Sequence, residues 1–414
     1  MKRLDHGAAN NGITTIPVQE LERNPHEIFW FHRPLVPLLR RDDGVYIAIR
    51  AADVESLACD PRTRQLETEY AQSRGVMDGP LFDLFANTML LSNGPAHRRR
   101  RAPLSRAFAF RLIAGMRPRI RAIAGALIEQ QYLRGEMNFL DDFAARLPAL
   151  VICEILGIPP DDIPRFTRNV YPLARAFSSS FTRESVPSLQ DAAQELISYA
   201  AELVHRRRVT PEYDFLTSYV AALDESEKLS AIETVIQIVT LILAGSDTTR
   251  TAMAIQTSLL LQHRDQWDAI CQYPALIPGA VAESLRYEPS VASFARFTLE
   301  DIEIDGWVVP RHSILSLSTL SAMRDSARYG DPDRFDIRRT DHQRKHMVFG
   351  SGAHRCLGEA LAILELEESL AALAARLPNL RLAAGAPPIR GSGGIRTIGD
   401  TWVRWGASPL RGLH

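Results

Sequence analysis

The chain has 414 residues, 46% apolar and 23% charged, with 48 Lys and Arg against 49 Asp and Glu and a formal net charge of -1. That balance excludes a general electrostatic drive towards nucleic acid or anionic membranes, and the length suffices for a large core. Met1 to Thr15 lack the apolar run of a signal peptide or membrane anchor, so a cytoplasmic protein that does not engage a membrane is predicted.

In chain order, residues 1–16 are expected to form a flexible N-terminus, and Pro17 to Arg41, broken by prolines at 25, 34 and 37, an irregular entry segment. The alternating run Gly44 to Ile49 predicts a strand, and Ala51 to Cys59 a short helix after it. Residues 61–95 hold glycines, prolines and an apolar cluster at Leu81, Phe82, Leu84, Phe85, Met89 and Leu90, the pattern of a loop pinned to the core. Next comes the basic run His97-Arg98-Arg99-Arg100-Arg101, with Arg106 and Arg111 beyond it. Such a run is ordinarily a solvated helix face or a nucleic-acid patch. His97 and Arg101, however, stand four apart and share one face of a helix starting near Ala96. Helical periodicity covers Pro118 to Gln131 and Phe139 to Leu156, which Gly157-Ile158-Pro159-Pro160 closes. Residues 165–182, with Ser178, Ser179 and Ser180 between Phe177 and Phe181, lead to another helix ending at Arg208.

From Leu229 to about His263 a proline-free helical pattern of about 35 residues would span roughly 50 Å, enough to cross a domain. Its middle is nearly all apolar, so it must be buried on most sides. There stand Ala244-Gly245-Ser246-Asp247-Thr248-Thr249. A charge and several hydroxyls in an apolar helix are costly unless a partner or a function compensates. Either the hydroxyls bond back to helix carbonyls with Asp247 in a salt bridge, or the group does chemistry. Further on, Glu283 and Arg286 have the spacing of an ordinary helical ion pair. Phe294 to Gly306 reads as two strands with a turn.

The four cysteines, Cys59, Cys153, Cys271 and Cys356, lie far apart without a Cys-x-x-Cys, which argues against a zinc site or a disulfide framework; three are expected in the core. Cys356 is different. It stands in the loop Phe349-Gly350-Ser351-Gly352-Ala353-His354-Arg355-Cys356-Leu357-Gly358, followed by an apolar helical repeat from Glu359 to Leu377. Gly350, Gly352 and Gly358 suit close approach of a planar ligand, and the helix N-terminus favours a thiolate at Cys356.

The spacing Phe-x-x-Gly-x-His-x-Cys-x-Gly resembles the haem-binding loop of the cytochrome P450 family. Ala244-Gly245-x-Asp247-Thr248, Glu283-x-x-Arg286, and Asp331-Pro332-Asp333-Arg334-Phe335 precede it in that family's order. The resemblance covers nearly the whole chain as a single domain, 1–414. It implies a mainly α fold with small β-sheets, the haem lying between the long central helix and the cysteine-loop helix. Cys356 is then the iron ligand, with Phe349 beside its sulfur and Gly358 and Ala244 against the cofactor; His97, Arg101, Arg296 and His354 correspond to residues that hold the propionates. Thr248 would hydrogen-bond dioxygen and Asp247 help relay protons, in a helix locally opened at that point. Glu283 and Arg286 would form a buried structural pair completed by Arg334. By the same resemblance, Phe85, Leu243, Ala244, Ala292, Phe294 and Ile395 face the substrate.

The implied activity is that of a soluble bacterial monooxygenase, inserting one atom of O2 into a small, mainly apolar organic substrate. Haem b is the cofactor. The protein is expected to be a monomer that receives electrons from NAD(P)H through a separate ferredoxin reductase and ferredoxin, with Arg98 to Arg100 pointing outwards to steer an acidic donor. A peroxide-driven peroxygenase is the rival within enzymes, and a haem sensor or carrier the rival outside them; neither needs the Asp247-Thr248 pair.

Overall fold

The computed structural model describes residues 12–108, 110–178, 181–224, 229–342 and 346–406. Most of the expected N-terminal tail, together with Ser179, Ser180 and the side chain of Arg111, lies outside them.

Helices dominate. The N-terminal part carries α1 (Val18–Arg23), α2 (Pro25–His32), α3 (Ala51–Leu57), α4 (Glu69–Ser73) and α5 (Gly79–Asn87). The body runs through α6 (Gly94–Ala107), α7 (Phe110–Tyr132), α8 (Arg146–Leu156), α9 (Ile163–Ala174), α10 (Val186–Val209), α11 (Phe215–Asp224) and α12 (Ala231–Gln262). It closes with α13 (Arg264–Gln272), α14 (Ile277–Tyr287), the short α15 (Thr319–Ala322) and α16 (Glu359–Arg376).

The strands are β1 (Thr15–Ile16), β2 (Leu38–Arg41), β3 (Tyr46–Ala48), β4 (Thr63–Arg64), β5 (Glu136–Asn138), β6 (Ser293–Thr298), β7 (Ile302–Ile304), β8 (Trp307–Val309) and β9 (Ile314–Ser318), followed by β10 (Arg381–Leu382), β11 (Ile389–Arg390), β12 (Thr397–Ile398) and β13 (Trp402–Arg404). A six-stranded sheet of order β1-β2-β3-β9-β6-β4 joins the N-terminal segment to the second half of the chain. Its longest ladder is the antiparallel pair β6 and β9, in register Phe294 opposite Leu317. The two strands expected within 294–306 are β6 and β7, but they do not pair with each other: β6 joins β9, and β7 turns back onto β8.

The entry segment is more regular than its prolines suggest. Pro25 occupies the first position of α2, where a missing N–H costs nothing, and Pro34 and Pro37 fall in the turn before β2. Thr15 and Ile16 likewise pair with β2, so that end of the predicted tail is an edge strand. Between residues 61 and 95 the chain folds into α4 and α5 as well as loop, because Leu81, Leu84 and Phe85 share the buried face of α5.

α12 is the axis of the molecule. Ser230 caps it: the Glu233 N–H donates to Ser230 Oγ at 3.2 Å and the Ser230 N–H to Glu233 Oε2 at 3.0 Å. By length and composition it could cross a membrane, but it is enclosed by the rest of the fold. A Cβ on Gly245 would stand 2.7 Å from Ile152 Cδ1, so the glycine lets α8 pack closely against α12. Of the cysteines, Cys153 is buried and Cys271 half-buried, whereas Cys59 is exposed, contrary to expectation.

Candidate active site

Between α12 and the segment 348–366 lies a cavity of about 380 Å³. Leu243, Ala244 and Thr248 line it from α12; Phe349, Gly350, Cys356, Gly358 and Leu361 line it from the opposite side. The cysteine loop is braced by its own backbone. The Cys356 N–H donates to the Phe349 carbonyl at 2.8 Å, and Arg355 Nη1 to the Gly350 carbonyl at 2.7 Å. Gly350 and Gly352 take φ of 73° and 62°, angles that favour glycine, and a Cβ on Gly352 would meet Cys59 Sγ at 2.9 Å.

Cys356 lies three residues before α16, and its side chain is exposed to the cavity, deep within the protein. Burial pushes its thiol up, and Glu359 adds to this, against the Gly358 N–H, Arg101 and Arg355. The surroundings alone therefore do not supply the thiolate expected from a helix N-terminus. A cationic metal against the sulfur would, since the thiolate is the metal-binding form.

Three donors meet the same cavity. Arg101, Arg296 and His354 all line it. Arg101 Nη2 donates to the Arg355 carbonyl at 2.7 Å; Arg296 donates to Gln65 Oε1 at 3.2 Å and to the Ala58 carbonyl at 3.1 Å. His97 stands behind His354, ring centroids 3.9 Å apart, and its buried Nε2 has no hydrogen-bond partner among the described residues. Burial, with Arg101 and Arg98 nearby, lowers His97 to about 4; burial, then His97 and Arg296, lowers His354 to about 3. Two neutral imidazoles and two guanidiniums around an orphaned N–H or lone pair suit a ligand with carboxylates. With a sulfur opening into an apolar slot, they fit an iron porphyrin bearing two propionates.

The α12 hydroxyls bond back to their own helix. Ser246 Oγ donates to the Ile242 carbonyl and Thr248 Oγ1 to the Ala244 carbonyl, each at 2.8 Å, and α12 runs unbroken instead of opening here. Thr248 faces the cavity. Asp247 does not line it: it pairs with Arg250 at 2.6 Å, whose guanidinium lies over the Tyr171 ring. Burial raises the Asp247 carboxyl, opposed by Arg250, whose side chain is 21% exposed and links the pair to solvent.

Several expected positions are corrected. Phe85 does not line the cavity; it packs behind Phe177, at 5.3 Å between centroids, and Phe177 is the ring that faces it. Ala292 is wholly buried in the small core under the N-terminal sheet, packed with residues such as Leu39, Ile47 and Leu320, and does not reach the cavity. Leu243, Ala244, Phe294 and Ile395 do line it. Arg334 does not complete the Glu283 and Arg286 pair. Its side chain is 70% exposed and reaches only Asp336. Arg339, 7% exposed, takes that place with its Nε 3.3 Å from Glu283 Oε2. Of the arginines expected to point outwards, only Arg98 does. Arg99 and Arg100 both bind Glu233, at 2.5 and 3.0 Å.

Of the apolar cluster expected between Leu81 and Leu90, Met89 and Leu90 do line the cavity, with Leu91 beside them. One cavity group escaped the sequence reading. Glu365, 1% exposed, lines the cavity from α16 with Oε2 unpartnered among the described residues; its only signal is an acid on the inward face of an apolar helix. Burial raises its carboxyl well above the usual range. With the folded-state value raised, its contribution to stability is full below the ordinary carboxylate range and is lost as pH rises towards the folded value. Glu365→Gln should therefore melt with the parent near pH 4 and progressively above it as pH rises to 8. Parallel melting curves across that range would remove the buried, proton-bearing carboxyl.

Comparison with known proteins bears on this geometry. The chain is 42% identical over 389 residues to a plant-inducible cytochrome P450, pinF1, of Rhizobium radiobacter, covering 94% of this chain and 92% of that one. The chain belongs to the cytochrome P450 family. The family model for cytochrome P450 matches residues 262–376. A second P450 relative, the 6-deoxyerythronolide B hydroxylase of Saccharopolyspora erythraea, is 31% identical over 91% of this chain and 95% of its own. The solved structure of a myxobacterial cytochrome P450 in complex with myristic acid superposes with a TM-score of 0.85 at 32% identity, over 93% of this chain and 97% of that one. The fold is the P450 fold, and the chain is an oxidoreductase of the oxygen-incorporating kind.

Proposed function

We propose that this P450 hydroxylates, or otherwise oxidises, a small and mainly apolar organic molecule, drawing electrons from NAD(P)H through a ferredoxin reductase and a ferredoxin. The observation that carries the reading is the Cys356 sulfur opening into an apolar cavity whose opposite wall presents Thr248. Haem, when bound, supplies O2 activation and oxygen transfer. Cys356 is its iron ligand, flanked by Phe349 and Gly358, with Ala244 on the opposite wall; Arg101, Arg296, His354 and His97 hold its carboxylates. Thr248 offers a hydroxyl at the reacting face, and Asp247 with Arg250 connects that hydroxyl's turn of helix to solvent, the means for admitting protons while keeping bulk water out. That pair favours a monooxygenase over a peroxygenase or a haem carrier.

Met89, Leu90, Phe177, Leu243, Phe294 and Ile395 make the substrate wall apolar. Arg396, the cation that would have favoured a carboxylate substrate, is turned away from the cavity and paired with Glu288. For ferredoxin docking, α6 offers Arg98 and Arg106 as exposed cations. The protein acts as a cytoplasmic monomer, in keeping with the enclosed α12.

The reduced protein under carbon monoxide is expected to show the strongly red-shifted Soret band of thiolate-ligated haem, and Cys356→His to move it to the ordinary histidine position. A histidine-type band in the parent protein would overturn the assignment of Cys356.

A further inference from the structure

One face of α12 carries Glu233, Gln237 and Thr240, spaced four and three apart. This stripe fastens the segment after α5. Arg100, held by Glu233, donates to the Ala86 carbonyl at 3.0 Å. Gln237 accepts from the Met89 N–H at 2.9 Å and donates to the Asn87 carbonyl at 2.8 Å. Thr240 Oγ1 stands 2.8 Å from Thr88 Oγ1, both residues buried. Gln237 spends both ends of its amide on these bonds. The two threonines do not use all their protons.

Thr88 Oγ1 already accepts the Leu90 N–H at 3.2 Å. Neither hydroxyl reaches a backbone carbonyl among the described residues, unlike Ser246 and Thr248 on the same helix. If Thr240 donated to Thr88, the Thr88 proton would be left without an acceptor in a fully enclosed position, which is unfavourable. Thr88 therefore donates to Thr240. The spare proton then belongs to Thr240, and of the two residues only Thr240 lines the cavity, among Met89, Leu90, Leu241 and Leu243.

We infer that Thr240 is a specificity-determining residue that donates a hydrogen bond to an oxygen of the substrate, so that the molecule taken is an apolar skeleton bearing a carbonyl, hydroxyl or ether. This rests on the reading of the cavity as the haem and substrate chamber. Thr240 precedes Thr248 by eight residues, so the anchored oxygen sits roughly 12 Å along the helix from the reacting face. Oxidation is thereby directed to a carbon remote from the substrate's own oxygen.

The test uses haem-loaded protein and 1-nonylimidazole, compared with isomers carrying a ketone at successive chain positions, each titrated by the Soret shift that azole binding to iron produces. At least one ketone isomer should bind about three- to tenfold tighter than the alkyl parent, the weight of one net hydrogen bond. Thr240→Val should abolish that preference, Thr240→Ser retain it, and the alkyl parent bind all three proteins alike. Should the valine variant fail to load haem, Thr240→Ala makes the same comparison. Absence of any preferred isomer in the parent protein, or the same preference in Thr240→Val, overturns the inference. Failure of every azole to shift the band overturns the chamber reading itself, and the inference with it.

Discussion

Replacing Arg339 by alanine is expected to lower stability by about 3 kcal/mol or more, whereas Arg334→Ala should change it by less than about 0.5 kcal/mol. Glu283 and Arg286 are both 0% exposed, and Arg286 holds both Glu283 oxygens, at 2.7 and 2.9 Å. Arg339 brings the second cation to that carboxylate; its Nη2 donates to the Asp331 and Arg334 carbonyls, at 2.9 and 3.2 Å, and its Nη1 to the Gly330 carbonyl and the Asp341 carboxylate. Its loss leaves a fully buried carboxylate with one guanidinium, and the ties from Arg339 to the Gly330, Asp331 and Arg334 carbonyls go with it. Arg334 contributes its backbone oxygen, which alanine keeps; its side chain is in solvent. Met323 likewise contributes its backbone oxygen, which accepts from Arg286 Nη1 at 2.9 Å. Urea unfolding followed by tryptophan fluorescence decides it: equal midpoints for the two variants would return the third member of the cluster to Arg334.

Thr248→Ala should keep haem and substrate binding within about twofold while the product formed per reducing equivalent falls by about tenfold or more, the lost electrons appearing as hydrogen peroxide. The Thr248 hydroxyl rests on the Ala244 carbonyl at 2.8 Å. That carbonyl keeps its helical N–H when the hydroxyl turns away, so the side chain can be redirected towards the cavity at small cost. Alanine leaves the wall intact and removes the only part that can hold or pass a proton. Thr248→Ser should recover most of the coupling. Unchanged coupling in the alanine variant would mean that proton supply does not pass through this residue.

The chemistry-bearing motifs were legible because each is local. The cysteine loop, the Ala244 to Thr249 group and the Glu283-Leu285-Arg286 turn are runs of a few residues whose spacing survives any packing. α12 was readable for a related reason: a proline-free apolar stretch of that length has few alternatives, and its bounds at Ala231 and Gln262 fall close to the expected ones. The sheet strand at Tyr46–Ala48 and the strands β6 and β7 followed from local residue pattern.

Errors arose where a side chain chooses among partners distant in sequence. An arginine reaches several ångströms in any direction, so nothing in one dimension separates Arg334 from Arg339, or an outward Arg99 from one bound to Glu233 across 134 positions. Phe85 and Phe177 are equally apolar, and only the stacking of α5 against the following helices puts one ring in front of the other. The sequence by itself determined the family, the glycine-rich loop that presents Cys356 and the helix that faces it, because those rest on short-range pattern. The tertiary structure alone decided which cation neutralises Glu283, which way Asp247 turns, and that Thr240, fastened to Thr88, meets the cavity between Met89, Leu90, Leu241 and Leu243. Those outcomes depend on burial and on competition for hydrogen-bond partners, which exist only once the chain has closed on itself.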